Sequence, residues 1–179
     1  AKVIWVQVIT ANSIRTWAVD EMENVATLQA PRGTITDVNG VALAKSVNAI
    51  NIVVDQSAIS NPAFTAKFAS PILQMPVSEL QTLFTGELKW KLIYRNAKPA
   101  VWTALKNAIS EHNSALEPKD FDQRITAFYP ERAYIREYPS GSLVASLIGF
   151  VNQEGTGATG LESSMNSIIT GTNGKYSYA

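Results

Sequence analysis

Residues 155–162, GTGATGLE, constrain the fold of this chain more than any other stretch. Gly155, Gly157 and Gly160 mark a place where the backbone must turn sharply or lie against something that a Cβ would obstruct. The run follows an apolar segment, Leu143 to Val151, and precedes an expected helix with Leu161, Met165, Ile168 and Ile169 on its apolar face and Gly171 at its end. One partner for such a loop is a pyrophosphate, because G-x-G-x-x-G between a strand and a helix is the dinucleotide fingerprint. That reading makes the chain a small nucleotide- or ligand-binding module using Gly155–Gly160. It also requires a second parallel strand and an acid about 20 residues further on, whereas only GTNGKYSYA follows the expected helix. The other partner is the chain itself, with glycines permitting close crossings of its own backbone.

Composition narrows the function classes. The chain has 179 residues, 46% of them hydrophobic, enough for one domain with a real core or two small lobes. Fifteen basic and fifteen acidic residues balance, so no global field favours nucleic acid. The densest basic stretch, Lys89, Lys91, Arg95 and Lys98, reads as the solvated face of a strand. There is no cysteine, which removes disulfides, thiol catalysis and Cys-based zinc sites. The lone histidine, His112, falls near the end of an expected helix, where it would meet the negative end of the dipole rather than a catalytic relay. The acids Asp20, Glu21 and Glu23, and Asp120 with Asp122, are local clusters that do not converge on one substrate. No catalytic, cofactor or metal residue is assigned. The apolar run Val3 to Ile9 is far shorter than the roughly 20 residues that span a bilayer, so the chain as given is expected to be soluble.

Periodicity gives the elements. Ile14, Trp17, Ala18 and Met22 are spaced for a helix, Thr34 to Thr36 for a strand, and Asp37 to Gly40 for a tight turn using Asn39-Gly40, after which Val41 to Ala44 returns. Asn48 to Asp55 reads as another strand, with Ile50, Ile52 and Val54 on one face. Pro62 opens a helix carrying Phe64, Phe68 and Ile72, which Pro71 should kink or end. Leu80, Leu83 and Phe84 mark a shorter helix stopping at Gly86. Trp90, Leu92 and Tyr94 alternate as a strand, and Pro99 opens a third helix with Val101, Trp102, Leu105 and Ile109. Ile125 to Val151 reads as extended apart from a turn at residues 138–141. The expected class is α+β: an elongated β-rich stalk from residues 1–54 and 123–179, with an inserted α/β lobe over 55–122.

Three stretches taken together carry a resemblance. Arg32, Gly33, Ile35, Asp37, Gly40, Leu43 and Ala44 fit R-G-x-I-x-D-R-x-G-x-x-L-A; Arg136, Tyr138, Pro139 and Gly141 fit R-x-Y-P-x-G; and Gly157, Gly160, Leu161 and Glu162 fit G-x-x-G-L-E. In this order, with residues 45–135 between the first and second, they resemble the N-terminal, non-catalytic pedestal or dimerisation domain of class B penicillin-binding proteins. Val38 stands where the family usually has arginine. The transpeptidase chemistry of such proteins needs Ser-x-x-Lys and Lys-Thr/Ser-Gly motifs; neither occurs here, and Ser46-Val47-Asn48 is an isolated Ser-x-Asn match.

The resemblance implies a longer parent. It would be anchored by a single membrane span, face outward from the cytoplasmic membrane and cross-link peptidoglycan in division or elongation. This domain would position the C-terminal transpeptidase domain and contact a membrane glycosyltransferase and other division or elongation proteins, and the family label implies homodimers. Trp90 and Trp102 are candidate partner anchors, with core packing as the plainer role. The guanidiniums of Arg32 and Arg136 suit two-pronged carboxylate pairing, and Glu162 is expected to pair with one of them, locking the two ends of the chain together.

Overall fold

The computed structural model describes residues 24–139, 141 and 145–178. The expected helix of Ile14, Trp17, Ala18 and Met22, the apolar run Val3 to Ile9, and the acids Asp20, Glu21 and Glu23 lie outside the described residues. The fold is α+β, divided into two compact units, residues 1–30 with 171–179 and residues 31–170.

In the first unit β1 (Asn24–Leu28) pairs antiparallel with β6 (Gly174–Tyr178), in register from Asn24 opposite Tyr178 to Leu28 opposite Gly174. Beyond the ladder, the Ala30 amide donates to Asn173 Oδ1 at 2.9 Å.

The second unit is organised by β3 (Ala42–Val54), one 13-residue strand where the sequence predicted two short ones. Its first residues pair with β2 (Ile35–Thr36), its last with β4 (Lys91–Ala97), and its other edge with β5 (Phe128–Glu137), all antiparallel. Asp37 closes the β2–β3 turn: its Oδ1 accepts from the amides of Asn39 (2.9 Å) and Val41 (2.8 Å), and Gly40 takes a φ of +83°. Since β4 belongs to the same sheet as β3 and β5, the sheet runs without a break across the sequence boundary at residues 54 and 55.

Three helices cover one face of this sheet. Helix α1 (Pro62–Leu73) starts with Asn61 accepting from the Phe64 amide and with Pro62 in its first turn. It ends within two residues of Pro71, at Gln74 in the left-handed region. Helices α2 (Val77–Phe84) and α3 (Pro99–Ala115) follow the predicted periodicity. Ile52, Val54, Leu73, Leu80, Phe84, Ile93, Leu105 and Phe128 form the core, with Phe84 and Phe128 edge to face at 5.5 Å. The predicted stop at Gly86 has a buried partner: Gln56 donates to the carbonyls of Leu83 (2.7 Å) and Thr85 (3.2 Å) and accepts from the Leu88 amide (3.1 Å). His112 packs its ring 5.5 and 5.4 Å from Phe64 and Phe68, and Asn113 clamps both backbone groups of Ile125.

The end of the unit departs from expectation. Residues 145–148 are helical (α4, Ala145–Ile148), so the segment 125–151 is not extended apart from one turn. The single helix expected from Leu161 is two, α5 (Gly160–Ser164) and α6 (Asn166–Ile169), broken at Met165. At Met165 the backbone leaves the helical region, with φ −100° and ψ 13°, and Asn166, directly after it, joins the network described next.

Candidate functional site

Glu162, on α5, is fully buried. A carboxylate at that depth must be compensated, and two cations do so. Arg32 Nε lies 2.6 Å from Oε2 and Arg136 Nε lies 2.7 Å from Oε1. The arginine side chains are themselves only 8% and 3% exposed. Arg136 is placed by the β5 register opposite Ser46, and Arg32 precedes β2. One acid therefore joins residues 130 and 26 positions away in the chain.

Hydrogen bonds fix the arginines. Arg32 Nη2 donates to the Glu162 carbonyl at 2.6 Å, and Nη1 to Asn166 Oδ1 and Thr170 Oγ1, both at 2.8 Å. Ser46 Oγ donates to the Arg32 carbonyl at 3.0 Å and accepts from the Arg32 amide at 3.1 Å. Arg136 Nη1 reaches the Arg32 carbonyl and Ser46 Oγ, each at 3.3 Å, while its Nη2 is buried with no hydrogen-bond partner among the described residues. With two guanidiniums and one carboxylate, the cluster carries a net positive charge, and Arg136 is its less satisfied member.

The glycines let the chain close around this cluster. A Cβ on Gly157 would run into the Glu162 carbonyl, and the Gly157 amide donates to Asn166 Oδ1 at 3.0 Å. Gly160 has φ +58° and its α-carbon faces the Leu147 carbonyl. The space beside Gly157 that a pyrophosphate would need is thus filled by the chain's own backbone. The strand–loop–helix frame is missing too: α4 interrupts the preceding segment, and β6 runs antiparallel to β1. This corrects the dinucleotide reading of Gly155–Gly160.

The other motif residues lie around the cluster or apart from it. Tyr138 OH accepts from the Val151 amide at 3.2 Å, and burial, followed by the Glu162 charge, pushes its phenol above the ordinary value. Pro139 and Gly141 make the turn that follows, with Gly141 N–H donating to the Tyr138 carbonyl. Leu161 is half-buried beside Glu162, and Gly33 N–H donates to the Ile169 carbonyl at 2.7 Å. Asp37 belongs to the turn, not to the ion pairs. Val38 is 99% exposed there, so both ion pairs to Glu162 form without a charge at position 38. Ser46 and Asn166 were missed. Asn166 lies four residues after Glu162, a spacing that puts two side chains on one helical face, and that was its one sequence signal.

Among the described residues, no cluster of three or more His, Cys, Asp or Glu could hold a metal ion, and no helix is long and apolar enough to cross a membrane. Through the two ion pairs of Glu162, one acid holds three sequence segments together.

Comparison with known proteins places this geometry. Residues 27–179 match the Penicillin-binding Protein dimerisation domain. The chain belongs to that family. It is 28% identical over 185 residues to penicillin-binding protein PbpB of Mycobacterium tuberculosis, covering 99% of this chain and 27% of that protein. It is 29% identical to the probable peptidoglycan D,D-transpeptidase PenA of Neisseria meningitidis, covering 97% and 28%. This penicillin-binding protein dimerisation domain therefore spans between a quarter and a third of the length of these relatives. Among solved structures, a complex between a penicillin-binding protein and MreC from Helicobacter pylori has the same fold, with a TM-score of 0.61 at 16% identity over 86% of this chain and 31% of that one.

Proposed function

We propose that this chain is the non-catalytic pedestal of a penicillin-binding protein whose remaining polypeptide carries a peptidoglycan D,D-transpeptidase domain, and that it positions that domain outside the cytoplasmic membrane. The observation that carries the reading is the sharing of Glu162 between Arg32 and Arg136, which joins all three family motifs in one buried cluster. A domain that supports a catalytic unit needs a rigid junction. Ion pairs excluded from water, closed by glycines that admit no side chain, supply one. Around the cluster, Leu147, Phe150, Met165 and Ile168 are exposed on or beside the short helices; apolar side chains gathered near a rigid junction support a covering domain there. The relatives' transpeptidase names support the activity of the parent.

In this reading Arg32, Gly33, Asp37, Gly40, Arg136, Tyr138, Pro139, Gly141, Gly157, Gly160, Leu161 and Glu162 form or brace the junction. Residues 1–54 and 123–179 bear it, and residues 55–122 contact partners of the cell-wall machinery. A second copy of the chain and proteins of the MreC kind are the partners that the family label and the Helicobacter pylori complex suggest.

The test uses an antibody against the chain on membrane and soluble fractions of the source cells, with the detected band exposed to a fluorescent penicillin. A membrane-bound band much larger than 19.5 kDa that takes the label supports the reading. A soluble, unlabelled band near 19.5 kDa overturns it.

A further inference from the structure

The chain contains two Asn-Gly pairs, Asn39-Gly40 and Asn173-Gly174. In such a pair the glycine amide nitrogen can attack the asparagine side-chain carbonyl carbon, because no Cβ on the glycine obstructs the approach. Whether it does depends on how firmly the backbone and the carboxamide are held. All four residues are exposed, so water reaches the two pairs alike. Their hydrogen bonds differ.

Asn173 is held on both sides. Its Oδ1 accepts from the Ala30 amide at 2.9 Å, and Gly174 begins β6 opposite Leu28 in the β1–β6 ladder. Asn39 lies at the tip of the β2–β3 turn, where its backbone amide is tied to Asp37 Oδ1 but its carboxamide makes no hydrogen bond among the described residues. The Gly40 nitrogen donates to one acceptor, the Asp37 carbonyl, at 3.1 Å, and the space into which a Cβ would project is open. One bond at a hairpin tip therefore restrains this nitrogen, and such bonds open without global unfolding.

We propose that Asn39 is a modification site: in the folded chain it deamidates through a succinimide formed with Gly40, and its product is a substrate for an isoaspartyl carboxyl methyltransferase. The Gly40 nitrogen loses its proton to hydroxide and bonds to Asn39 Cγ. The bond from Cγ to the side-chain nitrogen breaks, and that nitrogen takes a proton from water and leaves as ammonia. Water then opens the ring. Cleavage between the Gly40 nitrogen and Cγ gives aspartate in an unaltered backbone. Cleavage at the Asn39 main-chain carbonyl carbon instead routes the backbone through Cγ and leaves an α-carboxylate, which is isoaspartate. Either product adds a carboxylate close to Asp37, and the isoaspartyl form lengthens the turn that Asp37 Oδ1 clamps. This chemistry does not depend on the pedestal reading, and its test is separate from penicillin labelling.

The full chain is incubated at mildly alkaline pH, folded and in parallel in urea, and tryptic peptides 33–45 and 137–175 are followed by mass spectrometry, with fragment spectra locating the new acid. In the folded chain Asn39 is expected to convert roughly tenfold faster than Asn173, the factor set by the further hydrogen bonds that must open at Asn173. The rate should rise with hydroxide concentration, and in urea the two sites should converge. The incubated folded chain should also accept a labelled methyl group from S-adenosylmethionine through the methyltransferase. Asn39→Gln, an exposed change whose fold is checked by circular dichroism, should lose that label because its longer side chain closes a larger, less favourable ring. Equal rates at Asn39 and Asn173 in the folded chain overturn the proposal. So does conversion of Asn39 in urea alone, since the turn would then protect it, and so does methyl labelling that is unchanged in Asn39→Gln.

Discussion

The Glu162 cluster and the helical layer over the sheet hold the same unit together by opposite physics. Around Leu80, Phe84, Leu105 and Phe128, apolar side chains are packed out of water, a non-directional arrangement that tolerates changes of similar volume. Around Glu162, one carboxylate and two guanidiniums are buried with fixed hydrogen-bond directions, where desolvation nearly offsets attraction and each partner depends on the others. The helical layer supplies stability; the cluster specifies which segments meet. This division explains why the cluster, which adds little net free energy, draws residues from all three family motifs.

Removing the shared acid should break the comparison hardest. Glu162→Gln keeps the shape but leaves two buried guanidiniums uncompensated, and urea unfolding is expected to show a loss of about 3–5 kcal/mol. Leu105→Ala, in the apolar layer, should cost about 3 kcal/mol through transfer and cavity terms. Its cost should not change with salt.

Tyr138→Phe sharpens the contrast at the cluster's rim. At neutral pH it should cost about 1 kcal/mol, because the Val151 amide loses its acceptor. The raised phenol value means that the folded state holds this proton more tightly than the unfolded chain. Its contribution is complete below the unfolded tyrosine value of about 10 and is lost as pH rises through the higher folded value. Unfolding measured across that alkaline range should therefore fall less steeply in Tyr138→Phe than in the parent. The smallest effect belongs to Lys45, whose 3.1 Å pair with Glu137 is about half exposed at both ends. Lys45→Ala should change stability by less than about 0.5 kcal/mol, and equality with Glu162→Gln would contradict the distinction between buried and exposed pairs.

The sequence made the apolar layer legible because its signals are local. Pro62 and Pro99 open helices whose faces repeat Phe64, Phe68 and Ile72, or Val101, Leu105 and Ile109, and both helices are present. The long β3 was less legible, since Lys45, Ser46 and Asn48 interrupt its apolar alternation; pairing with β5 on one edge holds it extended through them. The break at Met165 was not legible at all. Leu161, Met165, Ile168 and Ile169 fit one helix, and nothing local in the sequence marks the departure from helical backbone at Met165. The pairing of Glu162 with an arginine was readable from motif chemistry, whereas the sharing between two arginines depends on the β3–β5 register. A long-range register leaves no local mark.

The most direct test of the shared acid is a double-mutant cycle in urea between Glu162→Gln and Arg136→Met. In the parent, Arg136→Met removes the less satisfied cation and leaves Arg32 paired with Glu162, so it should destabilise, but less than Glu162→Gln. In the Glu162→Gln background the same change removes an uncompensated buried charge and should restore stability. An equal cost of Arg136→Met in both backgrounds would mean that the two residues do not interact, contradicting the claim that one carboxylate joins the three motifs.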